Sequence, residues 1–392
     1  MLYKGTNMDE RISHITFENA SAEVFCFDNG TEVREYHAMI HVTTPSLPFA
    51  KQLEAVLNAY DQLLNCQLSI ANYQLSAVFK RYFLSDAANQ QDEVVVADMT
   101  DCAKSIIEQA PLDGTKIALW VWFMTGIQTR LTNSGLYEAS HGQFRHLWNA
   151  SAHNLAANSE YQMRLLFNEY VMQLAEEGCK LSDNCIRTWL FVNDIDLNYG
   201  GVVRARNQVF FTQGLTVHTH FIASTGIGGR QADPNVLSQM DNYAIAGIQP
   251  EQIHYLYAPT HLNRTSDYGV SFERGTYIDY ADRRHVFISG TASINNKGEI
   301  MYPKDIEKQT RRMWENVETL LKEADCTYDD VCEMVVYLRD ISDYQIVRSL
   351  YKERFPNKPC VIVQASVCRP GWLVEMECMA VKQTDNPEFP TF

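Results

Sequence analysis

The stretch QMRLLFNEYVMQLAEEGCKLSDNC at residues 162–185 lies without a gap over QTRRMWENVETLLKEADCTYDDVC at residues 309–332. A constant offset carries Leu174 onto Leu321, Cys179 onto Cys326 and Asp183 onto Asp330. Self-similarity at domain spacing marks a duplicated structural unit, and the flanks extend it. Upstream, Arg145-His146-Leu147-Trp148 matches Arg284-His285-Val286-Phe287. Downstream, with one residue dropped, Phe191-Val192-Asn193-Asp194-Ile195 meets Tyr337-Leu338-Arg339-Asp340-Ile341, and Val236 to Asp241 lies over Trp372 to Glu377. A fainter copy stands in front: Lys51-Gln52 and Leu63-Leu64 fall on Lys308-Gln309 and Leu320-Leu321, behind a strand-like stretch at 38–43. Three copies in 392 residues leave about 131 each, an ordinary domain size. The boundaries are placed at 1–127, 128–262 and 263–392.

Each copy reads alike. In the third, alternating residues predict a hairpin over 270–280 and 285–294, and Pro303 and Asp305 open an amphipathic helix over 305–324. A strand at 332–338 follows, then a helix over 342–355 stopped by Pro356, and strands at 360–367 and 373–381. The order ββαβαββ, with its helices on one face, is a two-layer α+β unit. The other face of each sheet needs cover, and in a three-copy chain the neighbouring copies supply it. A single-chain pseudo-trimer with sheets packed inward is therefore expected. Residues 126–134 and 259–267 read as linkers and 383–392 as a tail.

The balance of 33 Lys+Arg against 48 Asp+Glu, a net charge of -15, disfavours nucleic acid or an anionic membrane as partner but leaves room for a local basic pocket. Ten cysteines in a long chain without an apolar leader read as reduced thiols of a cytoplasmic protein. The apolar run at 117–124 is far short of a membrane span, so the protein is expected to be soluble. There is no CxxC or HExxH, and His218 and His220 read as same-face strand residues rather than metal ligands. The run Gly226-Ile227-Gly228-Gly229 fits neither GxGxxG nor a P-loop. No metal and no cofactor is expected.

Candidate chemistry gathers in the third copy. Glu375 and Glu377 stand two apart on an otherwise apolar strand and share one face of the sheet. Desolvation there raises a carboxyl toward the range useful for proton transfer, unless arginines of a neighbouring copy pair with it. The second copy has Gln239 and Asp241 at these places, and a Gln transfers no proton, so one complete site per chain is expected. Arg369, between Cys368 and Pro370, sits in a turn where a guanidinium can hold a carboxylate in bidentate fashion or simply face solvent. Arg339 at a strand end, and Arg204 and Arg206 near Tyr199, are further clamps for a carboxylated aromatic or cyclohexadiene ligand, or plain ion pairs. Gly290 and Thr291, within Ser289 to Ser293, offer a close backbone approach and a hydroxyl, or serve contact between copies. Cys368, with no His placed nearby, reads as a lining residue rather than a nucleophile.

The third copy, through Phe287-Ile288-Ser289-Gly290-Thr291-Ala292, Asp305 with Gln309 and Asn316, Tyr337-Leu338-Arg339-Asp340, and Arg369-Pro370 with Val374-Glu375-Met376-Glu377, resembles the YjgF/RidA superfamily, also labelled endoribonuclease L-PSP or translation initiation inhibitor. The resemblance spans about 270–382, is degenerate in the second copy and weak in the first. It implies the chorismate-mutase-like ββαβαββ fold, trimeric assembly and small-molecule sites in clefts between units. Enamine/imine deaminases of the superfamily carry an Arg where this chain has Ser366 or Val367. Chorismatases, which hydrolyse the enolpyruvyl ether of chorismate, are similar in Gly290-Thr291-Ala292-Ser293, in Cys368-Arg369-Pro370 before Leu373-Val374-Glu375, and in Ala223 to Gly228. They imply Glu375 as the acid/base and Cys368 as pocket lining, but have two copies where this chain has three.

The expectation is one competent cleft, between the second and third copies, that cleaves a small carboxylated metabolite with water. In it Glu375 moves the proton, Arg369, Arg339 and Arg206 hold carboxylates, and Tyr199, Cys368, Gly290 and Thr291 shape the pocket. The alternatives are an enamine/imine deaminase, for which Arg369 is the indispensable residue, and a non-catalytic small-acid-binding regulator; the endoribonuclease label fits the charge poorly. Beyond the pseudo-trimer a monomer or weak oligomer is expected.

Overall fold

The computed structural model describes residues 11–65 and 74–392. The first sheet holds β1 (Ile12–Phe17), β2 (Ala20–Phe27), β3 (Glu35–Val42), β4 (Leu75–Leu84), β5 (Ala103–Glu108) and β6 (Ile117–Thr125), with α1 (Phe49–Asn65) and α2 (Ala87–Ala97) between strands. The second holds β7 (Gln128–Leu131), β8 (Tyr137–His141), β9 (Phe144–His153), β10 (Cys185–Val192), β11 (Ala223–Gly228) and β12 (Ser238–Ala246), with α3 (Ser159–Glu176), the short α4 (Leu181–Asn184) and α5 (Ile195–Thr212). The third holds β13 (Ile253–Leu256), β14 (Gly275–Asp279), β15 (Arg283–Ala292), β16 (Val331–Leu338), β17 (Cys360–Gln364) and β18 (Val374–Gln383), with α6 (Ile306–Glu323) and α7 (Tyr344–Arg354).

Strand order is the same in all three: β1-β2-β3-β6-β4-β5, β7-β8-β9-β12-β10-β11 and β13-β14-β15-β18-β16-β17. The α+β repeat architecture expected from the sequence holds, with one added edge strand per repeat. β7 falls in the stretch read as a linker: its four residues are all exposed and so lack the alternation that marks a strand. β13 places the start of the third sheet ahead of residue 263.

A buried glutamine explains why the repeat is legible at its helix starts. Gln52, Gln162 and Gln309 are each fully buried in the first turn or so of α1, α3 and α6. Gln309 donates to Tyr302 O and Gly371 O and accepts from Leu373 N, which pins the entry of β18 to the helix. Gln162 does the same with Ala156 O, Asn235 O and Leu237 N, and Gln52 with Pro45 O, Leu47 O and Lys116 N. An amide whose two N–H groups and oxygen are all bonded to backbone is costly to replace.

The sheet faces turned from the helices pack against one another around a pseudo-threefold axis. By cross-strand register Trp120, Asp241 and Glu377 are equivalent, as are Phe79, Arg187 and Glu333. Arg81 bonds Asp241 at 3.0 Å and Glu377 at 3.4 Å, Arg187 bonds Glu377 at 2.8 Å, and Trp189 donates to Glu377 Oε1 at 2.8 Å. Burial first, then the Glu377 charge, pushes Glu333 well above the usual carboxylate range. Two guanidiniums thus face two carboxylates in an otherwise dry centre. Isolated bridges Glu108 to Arg230, Pro111 to Val363 and Ile227 to Val367 join the sheet edges between repeats.

Two local readings are corrected. His218 and His220 lie in the turn after α5, where Gly214 takes φ +79 and Thr219 Oγ1 donates to Gly214 O, so they are not strand residues. Residues 383–392 pack down as well: the Phe392 ring is 3% exposed and lies against Arg283 (4.3 Å), His285 (4.7 Å) and His146 (5.1 Å). No helix among the described residues is long and apolar enough to cross a membrane, and the nine cysteines among them are free.

Candidate active site

β18 alternates as its sequence demands: Met376 turns to the helices, where Tyr351 OH meets its sulfur at 2.9 Å, while Glu375 and Glu377 turn to the inner face. Glu377 is taken up by the axial arginines. Glu375, opposite Ala292 on β15, is 4% exposed. Its pKa is pushed up to about 8, by burial first and by Glu377 second, against the pull of Arg274 and Arg187. At neutral pH it is an acid with a proton to give.

The room it occupies is made by a missing side chain. β15 bulges between Ile288 and Thr291, and a Cβ on Gly290 would lie 2.1 Å from Glu375 Oε1. Gly290 N donates to Thr225 Oγ1 at 2.9 Å, and Arg187 Nη2 reaches the same oxygen, so β11 of the second repeat holds the bulge of the third. The opposite wall is α5. Tyr199 packs against Gly226, where a Cβ would approach its ring to 2.9 Å. Arg206 is 1% exposed, and its Nε and Nη2 have no hydrogen-bond partner; its guanidinium stands 5.8 Å from the Phe272 ring. Cys368 completes the wall. Its thiol is pushed up to about 12 by burial, then by the charge of Glu375, and against this act Arg369, a hydrogen bond from Tyr199 and Arg206. Glu375, Cys368, Tyr199 and Arg206 therefore share one environment between repeats two and three.

The segment read as a second linker covers this cleft. Asn207 Nδ2 donates to Gly269 O, and the Arg274 guanidinium bonds Asn263 O and Oδ1. Tyr268 lies under Arg369 at 5.3 Å, and Arg369 also stands 5.7 Å from Trp372, exposed in its turn. Arg274, Tyr268 and Phe272 were not singled out from the sequence, because only the folding of this connection against α5 brings them to Glu375.

Three sequence-chosen residues lie outside the cluster. Thr291 pairs with Met376 and so faces the helices, and its hydroxyl donates to Ser289 O. Arg339 donates to Val367 O and is ion-paired with Asp196, a brace between repeats. Arg204 is ion-paired with Glu160 on the outer surface.

The pseudo-equivalent clefts differ. Register places Gln239 and Ser151 where the third repeat has Glu375 and Gly290, and Gln239 Nε2 is held by Ile106 O and Ser151 Oγ. In the first repeat Ala118 takes the place of Glu375, opposite His41. Among the described residues, only the cleft between repeats two and three combines a buried acid with a buried guanidinium lacking a partner.

Comparison with known proteins agrees with this layout. The profile of the family described as endoribonuclease L-PSP matches residues 273–382. A RutC family protein of Pyrococcus abyssi is 34% identical over 100 residues, 25% of this chain and 79% of the relative. Another from Saccharolobus solfataricus is 37% identical over 84 residues, 21% of this chain and 67% of the relative. The crystal structure of a chorismatase superposes with a TM-score of 0.60 at 17% identity, covering 80% of this chain and all of that one, which shows a shared fold. With its third repeat carrying both the sequence match and the acid, the chain belongs to the RutC family within the YjgF/RidA superfamily.

Proposed function

We propose that the cleft between the second and third repeats hydrolyses an enol ether of a small carboxylated metabolite, with chorismate or a relative as the substrate. The observation that carries this reading is the pairing of a buried, protonated Glu375 with the unpartnered buried guanidinium of Arg206. A guanidinium without a partner in a dry wall is a strong place for a carboxylate. Glu375 gives its proton to the methylene carbon of the enol ether, which leaves an oxocarbenium ion. Water adds to the ether-bearing carbon of that ion, next to the new methyl group, and loses a proton to the Glu375 carboxylate. The hemiketal then collapses to a ketone (pyruvate, for an enolpyruvyl ether) and the free alcohol. Tyr199 and Cys368 bound the pocket, and the thiol takes no covalent part.

The deaminase reading has less support, since Arg369 is exposed on its turn, and Ser366 or Val367, just past the end of β17, stands where those enzymes carry an Arg. The test is pyruvate release from chorismate by the purified protein beside Glu375→Gln. Release by the parent that falls at least a hundredfold in the variant supports the reading. Tight binding of small acids without turnover in either protein supports a ligand-binding regulator instead.

A further inference from the structure

The repeat sets equivalent outward positions on α3 and α6, and the two helices fill them with opposite chemistry. Tyr161, Leu165, Asn168, Met172 and Ala175 of α3 stand where α6 has Lys308, Arg312, Glu315, Thr319 and Lys322. Tyr161, Leu165 and Met172 are 53%, 50% and 66% exposed, and on α5 Leu197 and Phe211 are 78% and 73% exposed. The two helices lie side by side, Phe167 against Phe210 at 5.4 Å and Ser159 Oγ bonded to Asn198 O, so these side chains form one face. Helical spacing puts 161, 165, 168 and 172 on one stripe and 197, 204, 208 and 211 on the next.

Taking about 200 Å² as the full surface of a large side chain, and discounting it because these five are only half to four-fifths exposed, the face presents on the order of 700 Å² per copy. A standard stable interface takes about 800 Å² from each partner. Its charges nearly balance, because Glu160 binds both Arg164 and Arg204 and the remaining positive charge is offset by acids at the border. Asn168 and Gln208 lie within the face and Glu169 and Glu176 at its border, the usual polar rim. A chain of net charge -15 repels its own copies across acidic surface, and this face has no uncompensated charge at its centre.

We infer that this face is the contact of a twofold homodimer, α3 and α5 of one copy against α3 and α5 of the second. A twofold contact must complement itself, which a neutral apolar patch does and a patch of one sign does not. The inner side of α5 carries Tyr199 and Arg206, so the dimer braces the helix that walls the cleft. The inference stands on the outer surface alone and is independent of the activity proposed above.

Sedimentation of the full chain at micromolar concentration tests it. The expected mass is twice the 44.9 kDa of one chain, falling to 44.9 kDa in Leu165→Glu/Met172→Glu/Phe211→Glu, while Ile346→Glu on the exposed face of α7 stays dimeric. Circular dichroism confirms the fold of each variant, and Phe211→Glu alone replaces the triple variant if that fails to fold. A monomeric parent overturns the inference, as does a dimer that survives the substitutions. A monomeric parent that instead binds a different protein through this face assigns the patch to that partner and equally overturns it.

Discussion

Glu375 is the residue on which the proposed chemistry turns, and its burial has a consequence apart from that chemistry. The fold holds its proton up to about pH 8, whereas the unfolded chain releases it near 4.5. Stability from this group is therefore fully present below pH 4.5 and lost as pH rises toward 8, by a few kcal/mol. Glu375→Gln removes that loss: the melting temperatures of parent and variant coincide at acid pH, and the variant melts higher above pH 8. A scan of melting temperature against pH checks it. Cys368 gives the complementary expectation. With its thiol pushed up to about 12, Cys368→Ser keeps most of the parent's turnover, and iodoacetamide at pH 8 leaves the parent active. Glu375 and Cys368 were legible because both sit in one short motif, Cys368 in the turn before β18 and Glu375 on that strand. The task of Glu377 was open between proton transfer and pairing, since its partners Arg81 and Arg187 arrive from 296 and 190 residues away.

At the scale of elements, the β15 bulge and the β11 edge are one device. Gly290 clears space for the carboxyl, Thr225 holds the bulge, and Gly226 seats Tyr199. Gly290→Ala places a methyl group 2.1 Å from Glu375 Oε1, so the acid must swing away. A displacement of about 1 Å is enough to cost roughly a hundredfold in rate, and the expected result is a drop of that size in kcat with the fold retained by circular dichroism. The long helices and inner strands were readable from period and caps: Asp305 and Asn158 both accept the N-cap hydrogen bond of their helices. The edge strands and the cover over the cleft were not. β7 has no buried side and the segment at 259–274 has no period, so only tertiary contacts define them.

The whole molecule shows what three unequal copies allow. A homotrimer repeats every position around its axis, whereas here Trp120, Asp241 and Glu377 occupy equivalent places. Removing one carboxylate from this centre leaves a buried guanidinium uncompensated, which costs about 3–5 kcal/mol. Glu377→Gln is thus expected to lower the unfolding free energy by that amount in denaturant titration. The same divergence leaves one acid at the equivalent positions Ala118, Gln239 and Glu375, an asymmetry the sequence revealed through Gln239 alone. The internal offset made the pseudo-trimer readable from residues 162–185, but which side chains meet across repeats depends on register at the axis, which no single copy contains.

The most direct test of the account is the pH dependence of pyruvate release from chorismate. A protonated Glu375 predicts a kcat that is level through neutral pH, falls as pH passes about 8, and is lost in Glu375→Gln. A rate that rises through pH 8, or one that survives in Glu375→Gln, would contradict it.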